Sequence, residues 1–193
     1  MKRLIRLFLL SVFAICLSIP CLNAEAASIA LLPLINNVEG DTLANQVFYK
    51  SAINSINRKA GFVIVENDKL TAAIEAANVG KEVPSKDVLA KIAKDGNADL
   101  VIAMQLDVLD DVILDSSNER ELQLQLEGKA VAYNKLTGEF YSHKITDSNK
   151  IPEALSARWD WTHEEWGRNV SREIDRILKI KGVRFDAPRM SKL

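Results

Sequence analysis

The chain is poor in the residues that most small-site chemistry needs. It has 2 cysteines and 2 histidines in 193 residues, and both cysteines, Cys16 and Cys21, stand near its start. The histidines, His143 and His163, fall in no metal-ligand spacing such as His-x-x-x-His, so no metal site is expected. The 8 glycines are dispersed, no two of them within nine residues of each other. Neither a dinucleotide loop nor a P-loop can be written from such a spread, and no cofactor is expected. A Gly-x-Ser-x-Gly elbow is missing as well. No catalytic residue is assigned, and the chain is read as non-enzymatic.

Long apolar runs are also missing. The longest, residues 7–19, follows Lys2, Arg3 and Arg6, is broken by Pro20 and precedes Ala24-Glu25-Ala26. Positive start, apolar stretch and alanines at the cleavage positions spell a secretory signal over residues 1–26. Crossing a bilayer takes about 20 apolar residues, more than this run provides. Cys21 follows Ser18-Ile19-Pro20, a poor frame for lipidation. Export to the periplasm or envelope is the expectation, with one domain over residues 27–182 and a tail over 183–193. Cleavage removes both cysteines, so stability must come from a packed core in place of a disulfide. It also removes three basic residues and one acid, moving the formal charge from -1 to about -3. That balance supplies no polybasic field for nucleic acid or anionic lipid.

What is present is clear patterning. Residues 28–35 form a near-continuous apolar run, the signature of a strand buried on both faces. Asp41 or Thr42 can cap a helix in which Leu43, Val47, Phe48, Ala52 and Ile56 recur at helical spacing, and Phe62-Val63-Ile64-Val65 is a second strand. Strand, helix, strand at this spacing is a βαβ unit with parallel pairing. Two further helices follow. The first, capped by Asn67 or Asp68, carries Leu70 and Ile74 and ends at Gly80. The second opens at Pro84-Ser85 and ends at Gly96, read as a left-handed cap.

A third strand over residues 100–108 keeps Leu100, Ile102, Met104, Leu106 and Val108 on one face. Its other face turns from Val101 and Ala103 to Gln105 and Asp107, as if covered only at its start. Residues 121–127 alternate leucine with Glu or Gln, the period of a half-exposed antiparallel strand, and Gly128 marks an expected bulge. A hairpin at residues 134–138 returns the chain over 139–146. The last helix is expected to start at Thr162, with Glu165 completing a capping box and Trp161 and Trp166 forming a staple, and to close at Gly182. The fold class read from this is α/β in its α+β variant. It has a mixed sheet of about five strands, a βαβ start, an antiparallel finish and a long C-terminal helix.

Candidate surfaces follow from exposure. Gln123 and Gln125 lie on the polar face of the alternating strand, Trp159 is the one clustered tryptophan with no staple role, and Phe185 stands in the tail. These four residues are the proposed partner or ligand surface, with the tail available to add a strand to a partner or to its own domain. Asp107, Asp110, Asp111 and Asp115 lack the alternation and turn glycine of a calcium loop and read as a solvated strand end.

The order of phrases resembles a known family. Ile29-Ala30-Leu31-Leu32-Pro33-Leu34, then Phe62-Val63-Ile64-Val65-Glu66, then Gly96-Asn97-Ala98-Asp99-Leu100, then Leu136-Thr137-Gly138-Glu139 are similar to successive phrases of the TolB N-terminal domain and the curli-secretion (CsgG-like) domains. The resemblance implies an envelope α/β domain serving assembly, secretion or regulation of wall synthesis by binding other envelope proteins. It also leaves open a homo-oligomeric secretion component. A small-molecule or glycan-binding periplasmic module is the other reading that stays open.

Overall fold

A computed structural model describes residues 26–115, 120–153 and 160–179. The leader with both cysteines, Trp159, Phe185 and the tail lie outside them. The described residues hold seven strands and four helices. In chain order these are β1 (Ala27–Leu31), β2 (Ile35–Asn36), α1 (Leu43–Asn57), β3 (Phe62–Ile64), α2 (Asp68–Ala77), α3 (Lys86–Asp95), β4 (Leu100–Asp115), β5 (Arg120–Asn134), β6 (Phe140–Asp147), β7 (Lys150–Pro152) and α4 (Trp161–Ile177).

The strands form one mixed sheet in the order β3-β1-β4-β5-β6, with β2 beside β4 and β7 beside β5. β1 pairs in parallel with both β3 and β4, while β5 runs antiparallel to β4, β6 and β7. The expected five strands become seven because β2 and β7 are short resumptions of the same tracks. The βαβ start and antiparallel finish are as expected.

Two cores flank the sheet. On one face α1 and α4 pack Phe48, Ala52, Ile56, Trp166, Val170 and Ile174 against Ile29, Ile102, Met104, Leu124 and Leu126. On the other, α2 and α3 pack Leu70, Leu89, Ile92 and Ala93 against Ala30, Val101, Ala103 and Val131. Among the described residues the sheet is therefore sandwiched at its parallel end and covered on a single face beyond it, which is why β1 is apolar from Ile29 to Leu31 and β5 alternates. Helices α1 and α4 run side by side in the same direction. They approach tightly at Gly167, where a Cβ would sit 2.9 Å from Ser51 Oγ and 3.1 Å from Val47 Cγ1.

Several local expectations are corrected. β4 does not end near Val108 but continues to Asp115, through a register shift between Leu106 and Val108 that leaves Asp107 as the extra residue. This bulge moves Val108 off the core face, since its partner is Glu127, and puts Leu109 opposite Leu126. The bulge is thus on β4 and not on β5, whose Leu126, Gly128, Ala130 and Ala132 are all buried at one parity. Gly128 faces the bulge because a Cβ there would lie 2.4 Å from the Gln105 carbonyl oxygen.

Gly96 has an ordinary φ of -81 and Asn97 takes the left-handed position at φ 53. Gly96 is a packing glycine, where a Cβ would meet Leu70 Cδ1 at 2.7 Å. The last helix is capped by Asp160, which accepts from the His163 amide, and not by Thr162. Trp161 is accordingly the first helical residue, and it joins Trp166 in the core. Glu165 reaches Asn149 and Arg168 instead of closing a capping box.

Candidate functional site

The one-sided coverage of the sheet creates the candidate surface. Residues directly opposite in an antiparallel pair point to the same face. Leu122, Leu124 and Leu126 are buried against the α4 side, so Glu121, Gln123, Gln125 and Glu127 face away from it. Their β4 partners are Leu114, Val112, Asp110 and Val108. The open face therefore carries a mostly apolar column, Val108, Val112 and Leu114 interrupted by Asp110, beside a polar one. Val112 is 36% exposed, and Ile113 on the opposite face is 48% exposed beyond the reach of the helices.

Gln123 and Gln125, expected as partner-facing, are both on this surface. They line a shallow recess of about 530 Å³ with Val108, Glu127, Thr146 and Ser148. Ion pairs tie the strands across the face, Lys144 to Glu127 at 3.0 Å and Lys150 to Glu121 at 3.7 Å. Trp159 and Phe185 fall outside the described residues, so Gln123 and Gln125 alone are placed together.

A second feature lies at the carboxyl end of β1. Leu32, Pro33, Ile35, Ile74, Val79 and Ala103 wall an apolar cleft of about 450 Å³. The polar turn of β4 that the alternation located supplies its tethers. Asn37 Nδ2 donates to the Lys81 carbonyl and to Asp107 Oδ1, and the Val83 amide donates to Gln105 Oε1 at 2.9 Å. Asp107 is therefore engaged and not merely solvated, and Asp111 likewise accepts from Trp161 Nε1 at 3.1 Å.

The helical face carries two polar clusters that sequence spacing did not show, because each joins residues far apart in the chain. His163 lies between two carboxylates, with Nε2 3.1 Å from Asp41 Oδ1 and Nδ1 2.8 Å from Asp160 Oδ2. Burial alone would lower its pKa, but the facing carboxylates of Asp160 and Asp41 raise it above the ordinary histidine value, and both acids are held below theirs against burial, Asp41 by the Ala44 amide as well as by His163. His163 also lines a groove of about 910 Å³ between α1 and α4.

The other cluster centres on the buried Glu173. Tyr141 donates to Glu173 Oε2 at 2.7 Å, His143 Nδ1 lies 3.2 Å from the same oxygen, and Arg176 binds the other oxygen. His143 and Tyr141 share a face of β6, with their rings stacked at 6.2 Å. Burial and the Glu173 carboxylate push the Tyr141 hydroxyl up. Among the described residues no group of three or more His, Cys, Asp or Glu side chains converges as metal ligands do. No described helix is long and apolar enough to cross a membrane.

No family model matches the chain, and no curated protein matches its sequence. Its backbone is similar to that of a hypothetical protein of Chlamydia trachomatis, at 10% identity and TM-score 0.48, over 79% of this chain and 95% of that one. A lipoprotein of Neisseria meningitidis is similar at 15% identity and TM-score 0.42, over 78% of this chain and 97% of that one. The LpoB C-terminal domain of Salmonella enterica is similar at 16% identity and TM-score 0.39, over 65% and 84% respectively.

Proposed function

We propose that this is an exported protein of the cell envelope that works by binding other proteins through the open face of its antiparallel ribbon. The observation that carries the reading is the incomplete third layer. Helices α2 and α3 stop short, leaving Val108, Val112 and Leu114 beside Gln123 and Gln125 with no helix over them among the described residues. Three apolar residues beside Gln123 and Gln125, with the charged Glu121 and Glu127 held in ion pairs at the rim, suit a partner that supplies the absent layer. The signal-like residues 1–26 supply the location, and the role proposed within it is assembly, secretion or regulation of wall synthesis.

Site-specific photo-crosslinking in intact cells tests this. A crosslinking residue at Gln125 should give a discrete protein adduct, and the same residue at Lys91, an exposed position on α3, should not. Equal labelling from both positions, or none from Gln125, overturns the assignment of the face.

The tethered cleft at the carboxyl end of β1 favours a second reading, a small-molecule-binding module. Ligands of α/β sheets lie outside strand carboxyl ends, in pockets with apolar walls and few polar groups. Titration with envelope glycans and small amphiphiles, followed by tryptophan fluorescence and calorimetry, separates this reading from the first.

A further inference from the structure

We propose that His163, held as an imidazolium between Asp41 and Asp160, is a pH-sensitive clamp that locks the amino-terminal ends of α1 and α4 together and releases them as the pH rises. A neutral imidazole has one N–H and one bare nitrogen. Here both ring nitrogens face carboxylate oxygens, at 3.1 Å and 2.8 Å, and a bare nitrogen against a carboxylate is a repulsive contact between two acceptors. Nε2 meets Asp41 Oδ1 in hydrogen-bond geometry, whereas Nδ1 meets Asp160 Oδ2 as a close charge contact outside it, and both contacts are attractive only for the protonated ring.

Each carboxylate does a second job that couples the ring to a helix. Asp41 Oδ1 also accepts from the Leu43 and Ala44 amides at 2.8 and 3.0 Å, which caps α1. Asp160 Oδ1 accepts from the His163 amide at 3.5 Å and from Thr162 Oγ1 at 3.1 Å at the start of α4. A cation at helix amino termini is otherwise unfavourable, because the aligned peptide dipoles present their positive end there. The two acids reverse that local sign. Loss of the proton removes the positive charge between the two carboxylates: the Nε2–H tautomer still reaches Asp41, whose side chain is only 10% exposed, but as a neutral donor, and it leaves a bare Nδ1 against Asp160.

Other charged groups along the α1–α4 groove are accounted for. Glu164 and Glu165 bind Arg168, and Arg172 binds Asp147. Lys50 stands on α1 about two helical turns from Leu43, and Arg58, at the far end of α1, donates to Ser55 Oγ at 3.1 Å. Asn149, from the β6–β7 turn, carries no charge. Among the described residues Asp41 and Asp160 make the polar contacts of the ring.

The consequence reaches the ribbon. Trp161, next to Asp160, donates to Asp111 on β4 and belongs to the core beneath Leu122 and Leu124. Freeing the start of α4 loosens the support of the ribbon whose other face is the proposed contact surface. The clamp itself rests on the geometry at His163 and stands whether or not that surface binds a partner.

The chain has 2 histidines, which makes the test direct. Imidazole proton resonances of the full-length protein are followed by NMR against pH, with His143→Gln assigning the two signals. His163 should titrate above the ordinary histidine value, and Asp160→Asn should move its midpoint down while keeping a hydrogen-bond partner. Above the wild-type midpoint, amide exchange at Leu43 and Ala44 should accelerate about tenfold per pH unit beyond the intrinsic chemical rate. In His163→Gln that extra dependence should vanish. A His163 midpoint at or below the ordinary value, or equal pH dependence of opening in wild type and His163→Gln, overturns the clamp.

Discussion

Ser28 and Asp99, 71 residues apart, grip each other through backbone and side chain together. The Ser28 amide and hydroxyl both donate to Asp99 Oδ2, at 2.9 and 2.7 Å. The Asp99 amide lies 2.9 Å from the Ser28 carbonyl and 3.0 Å from its hydroxyl oxygen. This closes the parallel pairing of β1 and β4 at its start and accounts for the aspartate in the Gly-Asn-Ala-Asp phrase. Asp99→Ala leaves two donors unpaired in a partly buried site, and should cost about 1–3 kcal/mol. Urea unfolding should show the midpoint falling with the slope unchanged.

Gly128 and the Asp107 bulge form one unit. With a Cβ at residue 128 only 2.4 Å from a backbone carbonyl oxygen, no side-chain rotation relieves the contact. Gly128→Ala should therefore destabilise by about 1–3 kcal/mol, as overpacked sites do. Gly138→Ala has no such neighbour, but its φ of +71 makes it strained for backbone reasons. A crystal structure of Gly128→Ala should show β4 displaced near Gln105, and unaltered β4 coordinates with wild-type stability would refute this account of the glycine.

Acid sensitivity should centre partly on Asp147. Burial alone would raise its pKa, but hydrogen bonds from Asn169 at 2.8 Å and Arg172 at 2.9 Å hold it below the ordinary carboxylate value. A group whose folded pKa is depressed contributes stability above its unfolded pKa and loses it as the pH falls through the folded one. Stability should decline as the pH drops below about 4. Asp147→Asn should be less stable at neutral pH and show a shallower decline, measured by denaturant titrations across that range.

Trp166 is the largest fully buried side chain, and its Nε1 donates to the Ala44 carbonyl at 3.2 Å, fastening α4 to α1. Trp166→Ala should cost about 3–5 kcal/mol. By contrast Val112→Glu, on the open face, should shift stability by no more than about 0.5 kcal/mol while abolishing crosslinks from Gln125. A fold-preserving Val112→Glu that still gives the adduct would move the contact elsewhere.

Local patterning carried the element order and the mixed sheet, because burial on one or two faces leaves a period of two, a period near four or an unbroken apolar run. The Gln105 and Asp107 switch correctly marked where coverage of β4 ends. Gln123 and Gln125 could be assigned to an exposed face from alternation alone. The bulge could not be placed, since a residue inserted in β4 looks, in one strand read by itself, like the strand's end. The glycine opposite it drew attention to the wrong chain segment.

Nearest-neighbour physics in the chain thus determined which residues make helices and strands, which faces are apolar, and the leader-like start with its clustered cysteines. Tertiary structure alone decided that Asp160 and not Thr162 caps α4, that Gly96 and Gly128 are needed for close approach, and that His163 meets Asp41 across 122 positions. Those facts depend on pairs distant in sequence, whose contact energy has no local signature until the sheet brings the two ends of the chain beside each other.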